Sequence, residues 1–183
     1  MTVYGFQRLY LGRKRNGTRM KQTLQSYLID FIMENQKKYY RIAYCYVKNK
    51  ETALDIVQNT IVKVLENQDS LRKKRAAKTW IYQILIHECL NELRKTKREI
   101  PCEPEQLGED FYKEKFYDGE EEVLFEAINI LPEKQKTVIL LHYYEYLTLK
   151  EIAAITETNL STVKTRLYSG LKKLKTILKE EIE

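Results

Sequence analysis

From Thr18 to Ile100 the chain contains neither glycine nor proline. Glycine supplies positive φ at low cost and proline breaks the helical hydrogen-bond ladder, so a stretch this long without either favours long helices with few sharp turns. Apolar residues recur in it at helical spacing. Leu24, Tyr27, Leu28, Phe31, Ile32, Tyr39, Ile42, Ala43 and Tyr46 mark a first helix over 21–47. Asn49 is placed to cap a second, with Glu51 in its first turn and Ala53, Leu54, Ile56, Val57, Ile61, Val64 and Leu65 as its apolar positions. "NQDSLRKKRAAKT" interrupts the pattern, and a third helix carries Trp80, Ile81, Ile84, Leu85, Leu90 and Leu93. Trp80 reads as core packing.

The composition changes at Glu99. Residues 99–122 hold ten acids against Lys113 and Lys115, a local charge of −8, together with two Pro and two Gly. Such a segment stays extended and solvated. The expected organisation is therefore a basic arm over 1–20, a helical domain over 21–98, an acidic flexible linker over 99–119 and a second helical domain over 120–183. The fold class is all-α: two small helical domains joined by that linker. The arm carries Arg8, Arg13, Lys14, Arg15 and Arg19 and no acid; translation from Met20, where the amphipathic pattern opens, is the alternative reading of that segment.

In the second domain, Pro132 and Glu133 suit a helix start. Thr148-Leu149-Lys150-Glu151 has the form of a capping box. Ile152, Ala153 and Ile155 form the inner face of a short helix, "TETN" (156–159) interrupts it, and Leu160, Val163, Leu167, Leu171, Leu174 and Leu178 lie on one stripe of a longer helix. A short helix, a tight turn and a longer helix make a helix-turn-helix. On the face opposite the stripe stand Ser161, Thr165, Tyr168 and Lys172, flanked by Thr162, Lys164 and Ser169; between Asn159 and Lys179 there are six basic residues, Arg166 and Lys173 among them, and no acid. Short hydroxyls near the helix start can approach base edges and the lysines can meet phosphates, so these nine residues are the candidate DNA-reading set. A second basic cluster lies in the first domain. Over 71–98, nine basic residues face two acids, a balance of +7.

The whole chain has 183 residues, a net charge of +6 and a pI near 9.0, which favours anionic partners such as nucleic acid. Three cysteines without paired spacing, Cys45, Cys89 and Cys102, point to reduced thiols of a cytoplasmic protein. No apolar run approaches the ~18 residues a membrane span requires, and membrane insertion is not expected. His87-Glu88-Cys89 has no further ligands at metal-site spacing, and neither a phosphate loop nor a nucleophile elbow occurs. We expect no cofactor, no metal and no catalytic residues.

The ordered motifs resemble a family: bacterial RNA polymerase sigma factors of the sigma-70 class, in the two-domain extracytoplasmic-function group. "ETALDIVQNTIVKVLEN" is similar to the segment by which that family binds the polymerase core, and the resemblance assigns this role to Asp55, Gln58, Asn59 and Val62. "KTWIYQILIHECLNELRK" resembles the segment that melts and reads the promoter −10 element. It implies contacts to the unpaired strand by Asn67, Arg72, Lys73, Lys74, Arg75, Lys78, His87, Asn91, Arg94 and Lys95. The helix-turn-helix resembles the −35-binding domain. The implied partners are the polymerase core, double-stranded promoter DNA with its unpaired −10 strand, and an anti-sigma factor; the implied course of the acidic linker is the enzyme's RNA exit path. The family's usual glycine in the −35 turn is Glu157 here, and its Asn and Asp in the melting segment are His87 and Asn91. A regulator with a helix-turn-helix that acts without polymerase is the alternative, and it has no need of the Asp55/Gln58 helix.

Overall fold

The computed structural model describes residues 23–99 and 120–180; the basic arm and the linker expected from the sequence lie outside them. The described residues form helices and no strand. Helix α1 (Leu24–Val47) begins where the Thr23 hydroxyl accepts a hydrogen bond from the Ser26 amide at 3.1 Å. It ends where Lys48 turns left-handed, at φ 51°. One residue later the Asn49 side chain accepts from the Thr52 amide at 2.9 Å and starts α2 (Lys50–Glu66). A two-residue connection of this kind forces α1 and α2 to run antiparallel in contact.

Short 3-10 turns at Gln68–Ser70 and Lys74–Ala76 lead into α3 (Ala77–Glu99). This helix begins three residues before Trp80, so Lys78 belongs to it and not to the loop. The three helices close around Leu28, Ile32, Tyr39, Ile42, Ile56, Val57, Ile81, Tyr82, Leu85 and Ile86, all buried. Trp80 is half-buried and packs against this core. The exposed, basic stretch Arg72–Arg75 is pinned at its base by Leu71, whose side chain is buried.

The second group comprises α4 (Glu120–Ile130), α5 (Glu133–Ile139), a π-helical turn at Leu140–Tyr144, α6 (Leu149–Ile155) and α7 (Leu160–Glu180). Pro132 occupies the N-cap of α5, with Glu133 in its first turn. The capping box is complete: the Thr148 amide donates to Glu151 Oε2 at 2.8 Å and the Glu151 amide to Thr148 Oγ1 at 3.3 Å. Hydrogen bonds from the Thr148 hydroxyl and amide hold the Glu151 carboxyl below the usual carboxylate range. Asn159 caps α7 through the Thr162 amide at 2.7 Å. Val163, Leu167 and Leu174 are buried beneath α7, and Gly170 lies so close to α5 that a Cβ there would stand 2.8 Å from Ile139 Cδ1.

The two groups of helices are packed together, chiefly α3 against α6. Across this boundary Tyr46 donates to Thr137 Oγ1, whose own proton goes to the Glu133 carbonyl at 2.7 Å. The buried Lys136 ammonium donates to the Cys45 carbonyl at 3.2 Å. Burial lowers the pKa of that ammonium and pushes the Cys45 thiol up to about 12, so both sit in a poorly solvated seam. Cys45 and Cys89 are both buried free thiols.

Candidate nucleic-acid and polymerase interface

Helix α2 buries Ala53, Ile56, Val57, Thr60 and Val64 against the bundle. The opposite side carries Asp55, Asn59 and Val62, with Gln58 half-buried at its edge. Positions 55, 58, 59 and 62 are three and four residues apart, so one continuous face presents them. Two apolar side chains stand uncovered on this helix, Val62 at 51 % exposure and Leu54 at 38 %. The sequence pattern places Leu54 in the core, because its spacing fits the buried stripe; the packing leaves it outside.

The Arg72–Arg75 loop and α3 make a second surface. Lys74 Nζ lies 5.0 Å from the centre of the Tyr27 ring, whose hydroxyl reaches the Lys74 carbonyl at 3.5 Å. Tyr27 thus braces the loop. Asn67 closes α2 instead, donating to the Lys63 carbonyl at 2.8 Å. Along α3, Arg94 donates to Asn91 Oδ1 at 3.0 Å and Lys95 pairs with Glu92 at 3.1 Å. Glu88 pairs with Lys63 of α2 at 2.6 Å. Exposed His87 and fully buried Cys89 sit on different sides of the helix, so the sequence His87-Glu88-Cys89 does not converge.

Four α3 residues, Lys78, Tyr82, Gln83 and His87, are engaged by the second domain. Lys78 Nζ donates to the Glu145 carbonyl at 2.5 Å. His87 Nε2 lies 3.8 Å from Glu157 Oε1, which also accepts from Gln83 Nε2 at 2.9 Å. Glu145 is 3 % exposed and its carboxylate accepts from the Tyr82 hydroxyl. Burial raises the pKa of Glu145; the Tyr82 hydrogen bond and the charges of Lys38, Lys78 and Arg41 oppose that rise. Burial, then the Glu145 charge, push the Tyr82 phenol well above its ordinary value.

The third surface is α7. Ser161, Lys164, Thr165, Tyr168, Lys172 and Lys173 are exposed on it, and Thr162, Arg166 and Ser169 are half-buried. Tyr168 is 67 % exposed, a large ring held out in solvent. Thr165 Oγ1 donates to the Ser161 carbonyl at 3.1 Å, which leaves its lone pairs and methyl group outward. Ser169 is more constrained, because its hydroxyl accepts from Gln135 Nε2 at 3.0 Å and donates to the Arg166 carbonyl at 3.2 Å. Thr165, Arg166 and Ser169 border a groove of about 780 Å³ that runs between the domains, with Tyr46 and Leu93 on its far wall. In the turn before α7, Glu157 has φ 50°. The position does require the left-handed region that glycine favours, at a cost of roughly 1 kcal/mol for a residue with a Cβ.

Two family descriptions match in chain order: "Sigma-70 region 2" over residues 31–99 and "Sigma-70, region 4" over residues 121–174. The chain belongs to the sigma-70 family. Among curated sigma factors it is 39% identical to the RNA polymerase sigma factor SigV of Bacillus subtilis, over 88% of this chain and 96% of that one. It is 29% identical to the ECF sigma factor SigW of the same organism, over 91% of this chain and 97% of that one. In fold it is similar to the sigma factor RpoE of Bartonella quintana, solved with the anti-sigma factor NepR, at TM-score 0.68 and 24% identity over 82% of this chain and 97% of that one. This sigma factor of the extracytoplasmic-function group directs RNA polymerase to promoters; sigma factors are initiation factors rather than enzymes. α1–α3 correspond to region 2 and α4–α7 to region 4. Among the described residues no helix is long and apolar enough to cross a membrane.

Proposed function

We propose that residues 21–98 bind the polymerase core and the −10 element, that residues 120–183 bind the −35 element, and that the acidic segment 99–119 connects them through the enzyme's RNA exit path. Asp55, Gln58, Asn59 and Val62 carry core binding, with Leu54 as an apolar addition on the same helix. The observation that supports this most is the uncovered Val62 and Leu54 beside exposed Asp55 on α2, since apolar side chains left out of a well-packed bundle mark a docking surface.

Arg72, Lys73, Lys74 and Arg75 meet the backbone of the unpaired −10 strand, joined by Asn67, Lys78, His87, Asn91, Arg94 and Lys95. Holding a flipped base there offsets the few kcal/mol of unstacking. On α7, Ser161, Thr162, Thr165 and Tyr168 face bases, with Ser169 at their edge, its hydroxyl held by Gln135, while Lys164, Arg166, Lys172 and Lys173 meet phosphates. Fixed lysines position the helix and short side chains read sequence. The chain has no catalytic step of its own; the polymerase forms the phosphodiester bonds. It works in the cytoplasm, with an anti-sigma protein as its regulatory partner, the class of partner with which RpoE of Bartonella quintana was solved.

The experiment is promoter-directed transcription in vitro with purified core polymerase. Specific initiation that depends on this chain is the expected result. DNA binding without any stimulation of core enzyme would favour a regulator that acts apart from polymerase.

A further inference from the structure

Gln135 stands in the first turn of α5, where its backbone amide donates to the Pro132 carbonyl at 2.9 Å. Its side chain crosses to α7. There Nε2 donates to Ser169 Oγ at 3.0 Å, and the Ser169 hydroxyl gives its one proton to the Arg166 carbonyl at 3.2 Å. Because that proton goes to the helix's own backbone, the carboxamide must present its N–H to Ser169. Its oxygen, Oε1, is then left buried with no hydrogen-bond partner among the described residues. The stem of the same side chain lies at the close approach of the two helices, where a Cβ on Gly170 would stand 3.3 Å from Gln135 Cβ. Ser169 is four residues beyond Thr165, about 40° round the helix, so the grip falls at the end of the row that faces bases.

A buried acceptor left unpaired opposes folding, and an apolar side chain of the same length would remove it. Packing alone therefore does not account for glutamine at this position; the amide does. Through Ser169 it ties α5 to the backbone of α7, and a helix held by its backbone cannot roll without breaking the bond. Hydrogen bonds to base edges weaken steeply as their angle departs from linear, so a small roll costs discrimination. We propose that Gln135 is a positioning residue for −35 recognition: it fixes the rotation of α7, and so the angle at which Ser161, Thr165 and Tyr168 meet the base edges. Gln135 itself touches no DNA. The same bond closes Ser169 to the bases, because its proton and one lone pair are both engaged. Gln135 thereby sets where the reading row stops. The bond lies wholly within the second domain, so it does not depend on how the two groups of helices are packed. The inference rests on the reading of α7 as the −35 helix, and adds to it the residue that aims that helix.

The test uses the full chain bound to purified core polymerase. The probes are two promoter fragments that differ only in the −35 element. One carries the sequence that the wild-type enzyme enriches most from a randomised pool, the other a single-base change from it. Gln135→Met keeps the length of the side chain and removes both polar atoms. Its melting temperature should stay close to that of the wild type. The ratio of affinities for the two fragments should fall by roughly threefold or more, part of what one good base contact supplies. Ser169→Ala removes the other half of the bond; it should lower the ratio similarly, and it decides the matter where Gln135→Met fails to fold. The double variant should be no worse than either single one, because both break one connection. A ratio unchanged in either single variant, or losses that add in the double variant, would overturn the proposal. So would an equal loss of affinity on both fragments with a fall in melting temperature, the result if Gln135 only holds the domain together. A wild-type enzyme that does not distinguish the fragments would fail the −35 reading itself. Discrimination by the wild type that Gln135→Met fully retains would fail the positioning role alone.

Discussion

His87 Nε2 stands 3.8 Å from Glu157 Oε1, and each residue occupies a position where the sigma family usually has another, Asn on α3 and Gly in the −35 turn. The two departures meet across the domain boundary. Both side chains are about half or more exposed, 49 % and 62 %, so the pair itself contributes little in water. The left-handed backbone at Glu157 costs more. Glu157→Gly should therefore leave the melting temperature equal or raised, by up to about 1 kcal/mol of stability. A clear fall in the calorimetric midpoint would mean that the contacts to His87 and Gln83 outweigh the strain.

Asp55→Arg with Gln58→Ala should weaken binding to core polymerase by roughly tenfold or more with little change in melting temperature, because Asp55 is exposed and Gln58 is only half-buried at the edge of the same face of α2. Leu54→Ala should act in the same direction through the apolar area it removes, of the order of 1 kcal/mol. Titration of labelled sigma factor with core enzyme measures both. Unaltered affinity would remove α2 from the interface.

Thr165→Ala should lower affinity for the preferred −35 sequence by about 1–3 kcal/mol and scarcely affect other sequences. Lys172→Ala and Lys173→Ala should weaken every sequence alike and reduce the salt dependence by about one unit of slope for each phosphate left unneutralised. Isotherms on two −35 sequences at two salt concentrations separate the cases. Equal losses on both sequences for Thr165→Ala would refute base reading.

Thr148→Ala removes the N-cap of α6 and should destabilise the chain by about 1 kcal/mol. Since Glu151 is held below its ordinary pKa by the same box, that stabilisation is present above the ordinary carboxylate range and is lost as pH falls through the lowered value. The difference in melting temperature between wild type and Thr148→Ala should thus narrow in acid.

Glu145 behaves in the opposite sense. Its pKa is raised when the domains are packed, so the packed state binds its proton more tightly than the open state. Its contribution is complete below the ordinary value of 4.5 and declines as pH rises through the raised one. Scattering across that window should show the wild type becoming more extended with rising pH. Glu145→Gln, which has no charge to desolvate, should flatten this dependence.

The local signals are legible because local chemistry decides them. Asn49 and Thr148 cap helices through atoms three residues away, and the stripe from Leu160 to Leu178 needs only a period of 3.6. Glu157 visibly breaks a turn preference, but its partners, Gln83 and His87, are 74 and 70 positions distant in the chain. Nothing in the sequence around Glu145, in "HYYEYL", distinguishes a carboxylate that will be buried from one that will be solvated. The π-helical turn at Leu140–Tyr144 and the positive φ of Tyr146 orient it, and neither has a composition signature. Ser169 shows the same gap: it lies on the reading side of α7 by angle, yet Gln135 of α5 already holds its hydroxyl.

Gly170 is the single residue without a side chain in α7, and it falls where that helix presses on Ile139 and the stem of Gln135. Anything larger at this point would act as a shim, lifting the middle of α7 away from α5 and rolling the row from Ser161 to Lys172 relative to the rest of the domain. The stand-off between the two helices is thus set to nearly its minimum. Variation of promoter preference through residue 170 would come from re-aiming an unchanged set of contacts, with no base-facing side chain replaced.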